Sequence, residues 1–364
     1  MDYATELYGI LATYFTGNKA RITCMTNILS GLIKSGTTNL HNVSLNMPGS
    51  VKSKSKYRRI QRFFQHMTFD WDELAKFIVS QLPCKDLILI IDRTNWKIGK
   101  KHANFLVLSV VSKGISIPIY WFDLDKPGNS STIDRIIIMK QVINLLGASR
   151  IKAILGDREF ISEEWMSWLS DNKIRFVIRI KSNSILFKGE KYSKAINSFN
   201  NLKPGEKRKI KRSLWGMSLS IVGNKSSSGE LCILATNGDP NLALDMYPMR
   251  WQIESMFLCL KSKGFNLEST SMQDPSKLNV LFGLLAILTC WNCKIGAYYN
   301  HVKPIKKKNH GRYAENHFHY GMKIVKNILS NILDYKSDFK HICYILLKPL
   351  ERCMKLKPMR LKCL

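Results

Sequence analysis

The sequence predicts an α/β protein: a mixed-sheet core interrupted by a β-rich insertion, with helical regions at both ends. Three observations carry this. Apolar runs at 87–91 (LILII) and 151–155 (IKAIL) fit buried strands, because a strand covered on both faces loses the apolar–polar alternation. Apolar residues at helical spacing fill 1–83 and return after 240. Between 181 and 240 the chain turns polar, rich in Gly and Ser, with short alternating stretches. At 364 residues it can bury a large core in two or three domains.

Composition narrows the function. Hydrophobic residues make up 45% and aromatics 10%, which describes a folded chain rather than a disordered one. Lys and Arg number 56 against 27 Asp and Glu, a net charge of +29. Such an excess points to a polyanion, of which nucleic acid is the commonest; a membrane surface or a ribosome is the competing partner. The charge recurs at 52–62, 97–101, 203–212, 303–308 and 348–362, as suits a protein holding a long stretch of duplex. Nine scattered cysteines suit reduced thiols in a cytosol. Cys290 and Cys293 form a CxxC pair, but in an apolar helix-like run; zinc would need two more ligands, for which His317 and His319 could be imagined, though nothing here has zinc-site spacing. Asp2 and Glu6 stand where a secretory signal would be basic, and the longest apolar run, 280–291, is too short to span a bilayer. The expectation is an intracellular protein.

In chain order, Tyr8, Leu11, Ala12 and Phe15 space one short helix, and Ile22, Met25, Ile28, Leu29 and Leu32 another. Pro48-Gly49 is a turn. In 50–67 (SVKSKSKYRRIQRFFQHM), Ile60, Phe63, Phe64 and Met67 pack inward on a helix, leaving Lys52, Lys54, Lys56, Arg58, Arg59 and Arg62 outward. That pattern fits a helix laid on a phosphate backbone, and equally an ordinary solvated basic face. A further helix opens at Trp71 and ends near Pro83, so 1–83 reads as a helical DNA-binding domain.

The core, 84–180, begins with the strand 87–91, which ends on Asp92. Strands at 104–112 and 115–122 follow as an antiparallel meander, with Pro118 placing the third at an edge. A helix at 131–146 carries Ile133, Ile136, Ile137 and Lys140 at helical spacing. The fourth strand, 151–155, runs into GDREF, so Asp157 stands just beyond it as Asp92 stands beyond the first. A short helix at 162–171 and a strand at 175–180 complete the order β-β-β-α-β-α-β, that of the ribonuclease H fold. In that fold the first and fourth strands are neighbours, so Asp92 and Asp157 converge. Two close carboxylates repel unless a cation compensates, and a divalent metal is the usual one. The insertion, 181–240, has strands at 207–212, 218–223 and 230–236; its basic strand could touch DNA or be an edge protected by lysines.

Residues 247–261 read YPMRWQIESMFLCLK. Pro248 suits a first turn, and the expected helix runs over 248–263. Arg250 and Glu254 fall one turn apart and Lys261 two turns further, on one face, with Tyr247 at its edge. Ile253, Met256, Phe257 and Leu260 fall on the other. After it, 278–298 reads as an apolar core helix within the unit 241–300, and 301–364 as a basic C-terminal region with an amphipathic helix over 321–348.

With Asp92, Asp157 and Glu254 in order, the sequence resembles the DDE transposases of bacterial insertion sequences, in the insertion-sequence-four branch. That branch carries the signature Tyr-x2-Arg-x3-Glu-x6-Lys, matched here by Tyr247, Arg250, Glu254 and Lys261. The strings at 57–64, 91–106, 124–130 and 156–165 also resemble it, and the likeness covers roughly 50–300.

The resemblance implies cut-and-paste transposition, with release of the element through hairpin ends and its terminal inverted repeats and target DNA as substrates; the alternatives are a non-catalytic DNA-binding relative or a ribonuclease H-like nuclease without strand transfer. It implies two Mg²⁺ or Mn²⁺ on Asp92, Asp157 and Glu254. Tyr247, Arg250 and Lys261 would grip terminal phosphates, and Trp251 would either stack on a flipped base or sit in the core. Arg58, Arg59 and Arg62 would bind DNA, and two copies would bridge two DNA ends in a bacterial cytoplasm, on the nucleoid. Glu159, Asp123 and Asp125 lie close enough in sequence to be mistaken for ligands; Glu159 is expected to pair with a basic neighbour or to support the site. His102 is left as surface.

Overall fold

The computed structural model describes residues 3–82, 86–99, 101–112, 114–124, 128–309, 311, 313–353 and 361. The predicted boundary between the N-terminal domain and the core falls at 83–85, outside them, as do Asp125 and most of the basic stretch after Cys353.

The N-terminal region is helical as expected: α1 (Tyr3–Ala12), α2 (Lys19–Ser35), α3 (Leu40–Asn46), α4 (Ser53–His66) and α5 (Trp71–Ser80). Asn18 caps α2 by accepting from the Arg21 amide, and Gly36 ends it at φ 66°, where a side chain would be strained. Along α4, Ile60, Phe63 and Phe64 are buried and Arg58, Arg59 and Arg62 exposed. Lys56 departs from the expected outward set. It is buried, and its Nζ donates to the Met47 carbonyl at 2.7 Å, tying α4 to the preceding turn.

One ten-stranded sheet runs through the rest. Its first half comprises β1 (Leu87–Arg93), β4 (Phe105–Ser112), β5 (Ile115–Asp123), β6 (Ile151–Gly156) and β7 (Phe176–Arg179), in the spatial order β5-β4-β1-β6-β7. β5, β4 and β1 pair antiparallel, and β1, β6 and β7 parallel. With α6 (Thr132–Leu146) and α7 (Glu163–Asp171) as the crossovers, this is the ribonuclease H-like arrangement. β5 is the sheet edge, where Pro118 costs no ladder bond, and the register shifts where Pro118 faces Ser109. A small hairpin, β2 (Trp96–Ile98) with β3 (Lys101–Ala103), leaves the sheet after β1 and has no counterpart in the sequence reading.

The β-rich insertion extends the same sheet. β12 (Leu231–Thr236) pairs antiparallel with β7, followed by β11 (Met217–Lys225), β10 (Lys207–Leu214), β8 (Ile185–Lys188) and β9 (Lys191–Lys194). The basic strand β10 pairs with β11 along its length but with β8 only at Ser213, so among the described residues its basic stretch 207–212 is laddered on the β11 side alone. The β8–β9 hairpin was not legible, since its strands are four residues each and mostly exposed.

Several helices differ from the sequence reading. In α6 the buried stripe is Ile138, Met139, Val142 and Leu146, while Ile133 and Ile137 are exposed. The helix expected over 248–263 is built in two pieces, a tight 3₁₀ turn Tyr247–Arg250 and α9 (Trp251–Lys261), and a separate helix α8 (Pro240–Met246), capped by Asp239, leads into it. Pro248 lacks the N–H an unbroken helix would use, which suits the tightened turn. The core helix is longer than expected: α10 (Pro275–Tyr299) is long and apolar enough to cross a membrane by length and composition, but its apolar window is wholly wrapped by protein. The helix expected over 321–348 is two, α11 (His317–Ser330) and α12 (Lys336–Leu347), broken by a turn that leaves Leu333 exposed.

Candidate active site

Asp92 and Asp157 meet because β1 and β6 are parallel neighbours. Ile90 of β1 is level with Leu155 of β6, and each aspartate lies two residues further on, at the C-terminal ends of the strands. Ligand sites of α/β sheets gather at this edge. Each carboxylate is fixed by the backbone that follows it: Asp92 Oδ1 accepts from the Arg93 amide at 2.8 Å, and Asp157 Oδ1 from the Arg158 amide at 2.6 Å.

Arg250 brings in the third carboxylate. The 3₁₀ turn that carries it lies against β6, and α9 packs on β4 and β5 through Ile253, Met256 and Leu260. Its guanidinium donates to Glu254 Oε1 at 2.7 Å through Nη2 and stands 3.6 Å from Asp92 Oδ2 through Nη1. Burial opposes the charge on Arg250, but the Glu254 hydrogen bond and neighbouring groups, Asp157 among them, outweigh it and raise its pKa above the usual value. Desolvation pushes Asp92 up to about 7, helped by Glu159 and Glu254 and opposed by the Arg93 amide and Arg250.

The expected closed trio of carboxylates is therefore opened by an arginine. Among the described residues, no group of three or more His, Cys, Asp or Glu is close enough to hold a metal ion. The donor set still suits one: three hard carboxylates, with Asp92 desolvated by burial. Among the described residues the buried Nε of Arg250 and hydroxyl of Tyr247 have no partner, so the polar groups here are incompletely satisfied.

The remaining predicted residues divide. Tyr247 is buried against Arg250, its ring centre 6.0 Å from the guanidinium. Trp251 is 59% exposed, which removes the core reading; Arg250 lies 4.8 Å from its ring centre. Lys261 is half-exposed and paired with Glu268 at 3.1 Å, not with the carboxylate site. Arg58, Arg59 and Arg62 lie on α4 in the N-terminal region.

Several supporting residues were missed. Arg93 grips Glu159 with two bonds, Nε to Oε1 at 3.0 Å and Nη2 to Oε2 at 3.2 Å, so Glu159 does have a basic partner. Arg93 also donates to Asn104 Oδ1, and Arg135 donates to the Glu159 carbonyl, which braces the loop after β6 against β1 and α6. Arg179, at the end of β7, lies within electrostatic reach of Asp157 and Tyr247. Sequence position alone could have singled out Arg93, which follows Asp92; Arg135 and Arg179 needed the topology. Asp123 closes β5, and His102 lies exposed on β3. Cys290 and Cys293 are buried along α10, and the His319 ring instead touches Cys259 and the Lys263 carbonyl.

Residues 83–292 match the family described as the transposase DDE domain. Among solved structures, the chain is similar to a cryo-EM structure of the piggyBac transposase synaptic complex with hairpin DNA, at a TM-score of 0.49 and 12% identity, over 95% of this chain and 83% of that one. No curated protein matches.

Proposed function

The chain belongs to the transposase DDE domain family, whose match spans more than half of it, and from that premise we propose that it is a metal-dependent transposase acting on the terminal inverted repeats of its own element. One observation carries the reading: Asp92 and Asp157 at the ends of adjacent parallel strands, with Arg250 tying Asp92 to Glu254. Tyr247, Arg250, Glu254 and Lys261 at their spacing support the insertion-sequence-four branch.

Asp92, Asp157 and Glu254 would hold two Mg²⁺ or Mn²⁺, which when bound supply Lewis-acid charge to the attacking and leaving oxygens of a phosphodiester. The chain's own part is positioning and charge neutralisation. Arg250 carries a buried positive charge between Asp92 and Glu254, holding both in place in the free protein. The Arg93–Glu159 pair fixes the loop that carries Asp157. Trp251 offers an exposed ring for a displaced base at a hairpin end, a stacking contact worth about 1–3 kcal/mol. Lys261, half-exposed, reaches a terminal phosphate by exchanging Glu268 for it. Two copies would bridge two DNA ends, on the nucleoid of a bacterial cytoplasm, with target DNA as the second substrate.

The test is a purified protein, Mg²⁺ and a duplex carrying the inverted repeat that flanks the gene. Nicking and joining at the repeat end is expected, and loss of both in Asp157→Asn and Glu254→Gln. Cleavage by those variants at the unmodified rate would refute the site.

A further inference from the structure

Helix α5, the edge strand β5, helix α6 and the start of α10 pack around a cleft of about 520 Å³ that no residue of the carboxylate site lines. Its lining carries no Lys, Arg or His, in a chain where 56 Lys and Arg face 27 Asp and Glu. Two carboxylates stand on one wall. Asp70 caps α5 by accepting from the Asp72 and Glu73 amides, and Asp72 Oδ1 accepts from the Tyr120 hydroxyl at 2.5 Å. Among the described residues neither carboxylate forms an ion pair. Tyr120 feels both charges: burial first, then Asp72 and Asp70, hold its hydroxyl above the usual pKa range.

Aromatic rings make a corner beside the carboxylates. Trp71 and Trp121 meet at 80° with ring centres 5.3 Å apart, and Trp71 is exposed. Ile137, left exposed on α6, borders the same cleft. Two lining residues are incompletely satisfied. Trp121 is 7% exposed, and its Nε1, like Oδ1 of Asn279, is buried without a partner among the described residues. An unpaired buried oxygen and two uncompensated carboxylates call for N–H donors, and an aromatic corner suits a cation or an apolar chain.

We propose that this cleft binds an aliphatic di- or polyammonium ion, with its ammonium groups on Asp70 and Asp72 and its methylene chain against Trp71, Trp121 and Ile137. Two carboxylates match two or more ammonium charges, where the lysine side chain of a partner protein would bring one. Asn279 Oδ1 is the acceptor left for a further N–H. The bound ion touches α5 of the N-terminal helical region together with β5 and α6 of the sheet domain, and so pins the two against each other. The site stands apart from the reading of the carboxylate site and does not depend on it.

The experiment titrates the nucleic-acid-free protein with spermidine and with putrescine at constant ionic strength, by calorimetry and by melting temperature. Saturable binding at one site and a rise in melting temperature are expected. The net charge of +29 opposes general adsorption of a cation, so saturation reads a local site. Asp70→Asn combined with Asp72→Asn keeps the helix cap and an acceptor for Tyr120, and is expected to weaken spermidine at least about tenfold. Trp71→Ala is expected to weaken it about two- to thirtyfold. Melting of the unliganded variants shows that they are folded. Undiminished affinity in the double variant, heats that never saturate, or equal competition by ammonium ion, which has the charge without the chain, would overturn the proposal. So would binding of Nα-acetyl-lysine methylamide as tight as that of putrescine, which would make the occupant a protein's lysine. None of these outcomes touches repeat-end cleavage, which tests the proposed function separately.

Discussion

Arg250 and Glu254 stand one helical turn apart and share a 2.7 Å ion pair in which 6% of the arginine side chain is exposed against 41% of the glutamate. The same guanidinium approaches Asp92 at 3.6 Å. A nearly buried cation therefore sits where carboxylate repulsion would otherwise be greatest. Replacing it with glutamine keeps a hydrogen-bond donor and removes the charge. Arg250→Gln is expected to bind Mn²⁺ in the absence of DNA about tenfold more tightly, an electrostatic gain of roughly 1.4 kcal/mol, while losing strand cleavage. Titration calorimetry with Mn²⁺ checks it; weaker Mn²⁺ binding would mean that Arg250 organises the carboxylates rather than competing for them.

Trp251 separates binding chemistry from folding. Its ring is exposed beside Arg250, so removing it opens no cavity in the core. Trp251→Ala is expected to shift stability by no more than about 0.5 kcal/mol. Its loss on repeat-end cleavage should be about ten- to a hundredfold, the equivalent of one stacked base at ~1–3 kcal/mol. Paired melting and single-turnover cleavage measurements decide this. A large melting loss would show that the ring packs inward.

The core was legible because its strands are written in the plainest code a sequence has. The run 87–91 is apolar throughout and 151–155 apolar but for Lys152, and an aspartate follows each within two residues, so the neighbouring of β1 and β6 placed Asp92 and Asp157 together. What was not legible depended on tertiary packing. Lys56 looks like any other basic residue of α4 until the Met47 carbonyl is seen to receive it. Helix α6 has isoleucines on two faces, and only the packing decides that Ile138 is buried and Ile137 is not. The contact of Arg250 with Asp92 was hidden for the same reason. Spacing put it on the Glu254 face, but only the approach of the 3₁₀ turn to β6 shows that it points back to the carboxylates.

Helices α10 and α11 approach so closely that glycine is required at the crossing. A Cβ on Gly321 would collide with the Asn292 carbonyl oxygen, and one on Gly296 with the His317 carbonyl oxygen. These are backbone atoms in two long helices and cannot move aside separately. Gly321→Ala is expected to cost about 1–3 kcal/mol or more. Gly9→Ala, in α1 with nothing within 4 Å of the added carbon, should instead stabilise the chain by roughly 0.5–1 kcal/mol. Urea unfolding of the two variants should therefore move in opposite directions from the parent, and parallel shifts would contradict the packing.

Lys294 makes the stability depend on pH in a way that one substitution isolates. It is 2% exposed in α10, and its Nζ donates to Gln81 Oε1 at 2.5 Å, the Lys348 carbonyl at 2.6 Å and the Leu346 carbonyl at 3.2 Å. Among the described residues no carboxylate pairs with it, and burial lowers its pKa from 10.5 to about 8. Below pH 8 both folded and unfolded chains hold the proton, and the folded state bears the full cost of the buried charge. Between pH 8 and 10.5 the unfolded chain binds a proton that the folded chain has lost, so stability rises with pH across that window. The total is on the order of 3 kcal/mol at 1.36 kcal/mol per pH unit. The raised thiols of Cys290 and Cys343 act in the opposite direction, since folded groups that hold their protons longer lose stability as pH rises. They are present in Lys294→Met as well, so the difference between parent and variant largely cancels them. Denaturant unfolding of both proteins from pH 7.5 to 10.5 is expected to show the parent gaining on Lys294→Met by a few kcal/mol. A difference independent of pH would mean that the three oxygen acceptors hold the ammonium charged, and that burial does not govern this lysine.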